Sequence, residues 1–308
     1  MRPLLVVLAM LVGARVCPAA GPSAGPNPEP EPDSPPAPSR VTILYDAFGD
    51  RPGLERDWGF SALIEYGGRR ILFDAGNDGQ VFERNVRRLG VDLRRLDFAV
   101  ISHRHGDHTG GLAYLLRVNP SLTIYAPTER FGIFGGEVPI TIIRPDTALP
   151  ARMRYFGGAV PDELASSTVW PGARFVHVDS LTEIAPGVAL ASTISRTPGT
   201  LELRELSLLL RTPAGLVVFV GCSHPGIETI LEATRPYGDH VHEIFGGLHL
   251  VATPDTAIAR IATDLRDSWR LDLIAPGHCT GEPAFDALAR TFGARYVYAG
   301  LGTVVPLL

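Results

Sequence analysis

A four-layer αββα sandwich, α/β (α+β) in class, is the architecture that this sequence predicts. Strands come first, helices then alternate with strands, and a second set in similar order follows. Several short apolar strands run straight into Gly-rich loops that contain histidine, which is where one edge of a rigid sandwich builds a site. A hydrophobic share of 45% against 20% charged residues, over 308 residues, is enough for a sizeable core.

The fold is expected to start near Val41. Arg2, the apolar run Leu4–Gly13 and the small residues Cys17, Ala19 and Ala20 read as a signal peptide over 1–20. An uncleaved anchor is the alternative. Residues 21–40 are dominated by proline and read as an extended, semi-rigid linker. The domain is then 41–308, with no apolar run long enough to span a bilayer. The expectation is an exported protein, periplasmic or secreted, without stable membrane insertion after cleavage. Cys222 and Cys279 remain, which permits one disulfide but no framework of them.

Val41–Tyr45 reads as the first strand. Gly59–Glu65 and Arg70–Phe73 flank the turn Gly67-Gly68, a hairpin signature. Gln80–Leu89 has helical period and stops at Gly90. Phe98–Ser102 is a short buried strand, Leu112–Val118 a helix and Leu122–Tyr125 a strand. Residues 127–180 are rich in Gly, Pro and aromatics and read as an insertion. It either packs as a peripheral subdomain or covers the site with Phe131, Phe134, Tyr155, Phe156 and Trp170. Strands return at Val188–Ile194 and in the hairpin Leu206–Arg211 and Leu216–Val220. Helix Ile227–Thr234, strand His242–Phe245 and helix Pro254–Trp269, N-capped by Thr253, come next. Strand Leu271–Ala275, helix Glu282–Thr291 and a last strand Arg295–Tyr298 complete the chain.

Charge and composition exclude some chemistry. The net charge of −5 leaves no basic excess for a nucleic-acid backbone, so a small-molecule substrate is the expected partner. All 28 basic residues are arginine, which excludes a Schiff-base or P-loop lysine. The run His103-Arg104-His105-Gly106-Asp107-His108 points instead to metal. Imidazole with carboxylate suits zinc or another first-row ion. In extended backbone His103 and His105 point to one side and can share one ion. A turn at Gly106 can present Asp107 and His108 to a second ion, and such a pair can clamp an oxyanion.

This run resembles the HxHxDH signature of the metallo-β-lactamase fold, and Asp74-Ala75-Gly76 after a hairpin resembles that superfamily too. GCSHPG (221–226), GGLHL (246–250) and PGHCTG (276–281) are similar to the branch named for dihydropteroate synthase-like and dihydropterin ribofuranosylaminobenzene phosphate synthase-like proteins. The resemblance implies His103 and His105 at a first metal, and Asp107, His108 and His278 at a second. Many members place another first-site histidine in a TPGH pattern, where this chain has Arg196-Thr197-Pro198-Gly199-Thr200. His224 is the expected replacement, with an outer hydrogen-bonding role as the alternative. No aspartate stands in GCSH to bridge the ions; Cys222 can bridge as a thiolate, or be a small buried residue. His249 can bind substrate or donate a proton, or be structural. Asp74 either orients a ligand histidine or forms a turn, while His177, His240 and His242 are expected at the surface or in structural roles.

The expected function is an exported binuclear hydrolase that uses a metal-bound hydroxide on an ester, lactone, amide or phosphoester. Two Zn2+ per chain are the default, with Mn2+ or Fe able to fit. Asp107 orients the nucleophile, and Ser102 and Ser223 need no nucleophilic role. The alternatives are a pterin-related synthase or transferase, as the branch name suggests, and a non-catalytic metal-binding or redox module built on Cys222 and Cys279.

Overall fold

Two sheets packed face to face, with helices on both outer sides, make four layers in a computed structural model that describes residues 39–129, 137–138, 147, 154, 159, 164–165, 170 and 172–307. The expected signal peptide lies outside the described residues, and so does nearly all of the linker, 21–38. Phe131, Phe134, Tyr155 and Phe156 lie outside them as well. Among the described residues no helix is long and apolar enough to cross a membrane.

The N-terminal half supplies β1 (Arg40–Tyr45), β2 (Ser61–Tyr66), β3 (Arg69–Phe73), α1 (Gly79–Arg88), β4 (Phe98–Val100), α2 (Gly106–Thr109), α3 (Leu112–Val118) and β5 (Thr123–Pro127). A two-residue ribbon pairs β6 (Glu137–Val138) with β7 (Leu164–Ala165). Then come β8 (Arg174–Val178), β9 (Thr182–Ala185), β10 (Val188–Ile194), β11 (Arg204–Thr212), β12 (Gly215–Val220) and α4 (Ile227–Thr234). The chain ends with β13 (Val241–Gly247), α5 (Asp255–Asp267), β14 (Leu273–Gly277), α6 (Glu282–Phe292) and β15 (Val304–Pro306). The first sheet runs β15-β1-β2-β3-β4-β5-β8 and the second β14-β13-β12-β11-β10-β9.

Alternation along the strands explains the layering. Ile43, Ile71, Leu208, Val217 and Phe245 face the space between the sheets. Their neighbours Leu44 and Leu72 face the other way, onto Phe82, Leu112 and Leu115 of α1 and α3. Leu209, Val218 and Ile244 do the same against Ile230, Ile258 and Leu288 of α4, α5 and α6. Strands apolar on both faces are those of a sheet covered on both sides. Asp78 caps α1 by accepting from the N–H groups of Gln80 and Val81 at 2.7 and 2.9 Å.

The structure corrects several sequence expectations. The region 127–180 does not lie wholly outside the sandwich: β8 pairs in parallel with β5 as the edge of the first sheet. Trp170 is partly buried against the core beneath α1 and α3. Arg295–Tyr298 is not a strand; only Tyr296 bridges Ile274, and the true last strand is β15, antiparallel to β1. Thr253 does not cap α5, because Pro254 takes that position. Gly106 opens the short helix α2 rather than a tight turn.

Glu243 on β13 is buried, and its Oε1 has no hydrogen-bond partner. Burial pushes its pKa up from 4.5 to about 7. Between those values the folded chain holds a proton that the unfolded chain has lost, so stability falls as pH rises through that window. The expected loss is about 3 kcal/mol at most, at 1.36 kcal/mol per unit. Buried Glu205 and Asp46 are raised too, so urea unfolding at pH 5 and pH 8 should show a fall in both the natural protein and Glu243→Gln, smaller by about that amount in the variant.

Candidate metal centre

The site lies where strand ends of both sheets meet. β3 to β5 run parallel in one sheet and β12 to β14 in the other, so their carboxyl ends share one edge. Asp74 follows β3, and His103, His105, Asp107 and His108 follow β4. Cys222 and His224 follow β12, His249 follows β13 and His278 follows β14. Asp74, Ser223, His249 and His278 all adopt φ between 48° and 64°, a region that non-glycine residues rarely enter. Such strain gathers where the surrounding structure holds functional groups in place.

Asp74 fixes the first sheet's contribution. It is fully buried and accepts from Ser102 N–H and Ser102 O–H, both at 2.7 Å, while His108 Nδ1 lies 2.6 Å from its Oδ2. With His108 Nδ1–H donating to Asp74, its Nε2 faces inward as a lone pair. Ser102 Oγ spends its proton on Asp74, so His103 Nδ1–H donates to Ser102 at 2.9 Å and His103 Nε2 is likewise free. His103 Nε2 is then 3.1 Å from His105 Nδ1, and His108 Nε2 is 3.2 Å from both His278 Nε2 and Cys222 Sγ. Asp107 Oδ2 lies 3.4 Å from His278 Nε2 and 3.9 Å from His108 Nε2. These imidazole, carboxylate and thiol donors converge on one small volume, a set that suits a cation.

Glu205, the second residue of β11, fixes the second sheet's contribution. Its fully buried carboxylate accepts from the N–H groups of Cys222, Ser223 and His224 at 2.7–2.8 Å. The GCSH loop is thereby wrapped round one side chain. Gly221 is needed there: a Cβ would fall 2.1 Å from Ser102 Oγ, the residue that orients His103. His224 is 5% exposed, and neither of its ring nitrogens has a hydrogen-bond partner. Its ring lies 4.9 and 4.8 Å from those of His103 and His105, and 4.2 Å from that of His249.

Donor atoms in each of two sets, His103 with His105 and His224, and Asp107 with His108 and His278, lie within 4.8 Å of one another. Cys222 joins His103 and His108 in a further group, which places its sulfur between the two sets. Ring nitrogens about 3.2 Å apart match the ~3.3 Å between donors of a tetrahedral ion with ~2.0 Å bonds. The buried, unpartnered nitrogens of His224 complete the fit: these residues suit a pair of divalent ions.

The electrostatics divide the histidines. Burial and the neighbouring imidazoles hold His103 well below its ordinary value, and burial, with His249 and His105 beside it, takes His224 down to about 3. Both therefore offer lone pairs at neutral pH. Burial pulls His108 down as well, but Asp74 outweighs it and holds the ring up at about 9, so an ion at its Nε2 has to displace the second proton. Burial opposes ionisation of Asp107, yet His278 and His108 hold it below the usual carboxylate range. Glu205 is raised to about 6 by burial, offset in part by its three N–H donors.

The structure thus brings together His103, His105, Asp107, His108, Cys222, His224, His249 and His278. Asp74 is at once a turn residue and the partner of His108. Cys222 and Cys279 are free thiols, with Cys279 Sγ 3.7 Å from the Cys222 carbonyl. His240 and His242 lie elsewhere, sharing Asp272, and His177 sits by Pro127. Sequence reasoning missed Glu205 and Asp46, whose buried carboxylate accepts from His278 N–H at 3.0 Å. A lone acid in an apolar strand, EL at 205–206, and another at a strand end are the only signals. A groove of about 1000 Å3 runs beside the cluster, lined by Arg196, Thr197, Pro225, Glu228 and Trp269 among others, but by none of the clustered donors. Exchanging Asp74 for asparagine puts an NH2 against at least one of its three donors. Asp74→Asn is expected to weaken metal binding roughly 10- to 100-fold, read by competition with a chelator.

Comparisons with known proteins agree with this geometry. The family model described as the metallo-beta-lactamase superfamily matches residues 57–278. The 7,8-dihydropterin-6-methyl-4-(beta-D-ribofuranosyl)-aminobenzene-5'-phosphate synthase of Methanocaldococcus jannaschii is 24% identical over 294 residues, covering 86% of this chain and 95% of its own. A solved metal-dependent hydrolase of the beta-lactamase superfamily superposes with a TM-score of 0.65 at 25% identity, over 87% of this chain and 99% of that one. The short form of human tRNase Z shares the fold, with a TM-score of 0.52 at 16% identity over 87% and 99%. From its paired sheets, its HxHxDH loop and a match across most of its length, the chain belongs to the metallo-beta-lactamase superfamily.

Proposed function

We propose that the protein is an exported, binuclear metal-dependent hydrolase of an ester, lactone, amide or phosphoester. The two donor sets on one edge carry this reading, above all the buried His224 ring whose nitrogens lack any other partner. His103, His105 and His224 would hold one ion, and Asp107, His108 and His278 the other, with Cys222 between them. Such a pair supplies an activated water at neutral pH and positive charge for the developing oxyanion. Zinc suits this mixture of imidazole, carboxylate and thiolate, ahead of manganese or iron. Asp107, ionised at working pH, orients the attacking water through its free oxygen. His249, exposed at the rim beside His224, is placed to pass a proton to the leaving group.

Metal analysis of the purified chain should find two ions, and an ester, lactone, amide and phosphoester panel should show turnover that chelation abolishes. Two ions with no turnover across the panel would sink the hydrolase reading. The likeness to the archaeal synthase favours a second reading, in which the amine of an aminobenzene ribofuranosyl phosphate displaces a leaving group from the 6-methylene carbon of a dihydropterin. Mixing a dihydropterin activated at that carbon with the aminobenzene and looking for the coupled mass and the released group tests it. Export over residues 1–20 is tested by N-terminal sequencing of the mature protein; an intact Met1 would refute it.

A further inference from the structure

Trp58 stands in the loop between β1 and β2, with its ring centroid 5.1 Å from that of His278 and tilted 54° to it. It is 45% exposed, a large apolar surface to leave in water beside a polar site. Trp269, by contrast, is capped by the Arg235 guanidinium at 4.7 Å; among the described residues no cation lies over Trp58.

The loop that carries Trp58 is held on both sides. Trp58 N–H donates to Asp57 Oδ1 at 2.8 Å, and Asp57 N–H to the Asp46 carbonyl at 3.3 Å. Asp57 also accepts from the buried Tyr45 hydroxyl, and from Asn77 Nδ2 at 3.3 Å. On the other side, Gly59 (φ 143°) passes so near the metal loop that a Cβ would lie 2.5 Å from the Asp107 carbonyl. Phe60 N–H donates to that carbonyl at 3.2 Å. Trp58 is therefore braced between the backbone of Asp107 and the Asp46 segment that binds His278 N–H. An open indole on a backbone held in this way offers a stacking surface whose position is largely set before a ligand arrives.

We infer that Trp58 is the platform on which a planar aromatic group of the substrate stacks, so that the site takes aryl esters or aryl phosphoesters in preference to alkyl ones. This rests on the hydrolase reading above. Trp58 acts here as a specificity residue: the metal donors and Asp107 are the same for both classes, and only the group beside the scissile bond meets the indole.

The test uses the zinc-loaded full chain and its Trp58→Ala and Trp58→Phe variants. Binding of phenylphosphonate and methylphosphonate is measured by calorimetry, with zinc content checked in each protein. An offset or edge-to-face ring contact is worth roughly 3- to 10-fold in affinity. Trp58→Ala should lose about that much for phenylphosphonate and nothing for methylphosphonate, and Trp58→Phe should keep most of it. For aryl substrates the loss should fall on KM, with kcat retained. Equal binding of the two phosphonates by the natural protein overturns the inference, as does a parallel loss for both in Trp58→Ala. A protein that hydrolyses aryl and alkyl esters with a ratio indifferent to Trp58→Ala also overturns it. Conversely, aryl-selective binding that depends on Trp58, with no turnover of anything, removes the hydrolase reading and leaves the platform standing.

Discussion

Replacing His224 with alanine should remove one of the two ions and lower kcat/KM about a thousandfold. That is the kinetic equivalent of about 4 kcal/mol of lost transition-state stabilisation. The reason is positional. His103 and His105 form only two sides of the first donor set, and His224 supplies the third from the other sheet. Its nitrogens have no hydrogen bond to lose, so the substitution leaves no orphaned partner behind. The metal-free variant should therefore unfold close to the natural protein. His249→Ala is the control: with its ring at the rim, both ions should stay. Metal content, turnover and chelated-state unfolding together decide the matter. If His224→Ala retains two ions, the ring is only an outer neighbour and Thr197-Pro198-Gly199 has to be reconsidered as the edge of the first set.

A second large effect is expected at Glu205, in stability rather than chemistry. Glu205→Ala leaves the buried N–H groups of Cys222, Ser223 and His224 without their acceptor. Each unsatisfied donor costs about 1–3 kcal/mol, and relaxation of the loop recovers part of the sum. A net loss of roughly 3–5 kcal/mol is expected, a large part of the stability of an ordinary domain. Glu205→Gln keeps acceptor capacity but sets an NH2 against one of the donors, so its loss should be intermediate. Urea midpoints of the three proteins, measured with chelator present, isolate this effect from metal binding. A loss under 1 kcal/mol in Glu205→Ala would show that water replaces the carboxylate.

The first sheet's share of the site was legible because it is local. Four metal-type side chains within six residues, after a strand, announce themselves by spacing alone. The second sheet's share was legible only as residue types. GCSH and PGHC show histidines at strand ends, but that His224 meets His103 follows from how the sheets face each other. Glu205 was invisible for a related reason. Its partners lie 17 to 19 residues away, and a buried acid in a strand looks the same whether it binds backbone or is simply paired. The layering was readable from doubly apolar strands such as Gly215–Val220, yet Val304–Pro306 is too short to show a period. Arg295–Tyr298 has strand-like residues, but only Tyr296 reaches a partner there. Trp58 gave no signal, since a tryptophan before glycine is as often core as rim.

The division of the donors between the sheets has a further consequence. Asp74 and the residues 103–108 belong to one sheet, and Cys222, His224, His249 and His278 to the other; His108 and His278 meet across 170 residues of chain. Neither half of the polypeptide holds a full set. Ions bound here would act as a clasp between the two slabs, closing only once the loops of both are in place. Each ion at a hundred times its dissociation constant adds about 2.7 kcal/mol to the closed form. Free metal concentration would then join the apolar seam in setting how often the sandwich opens.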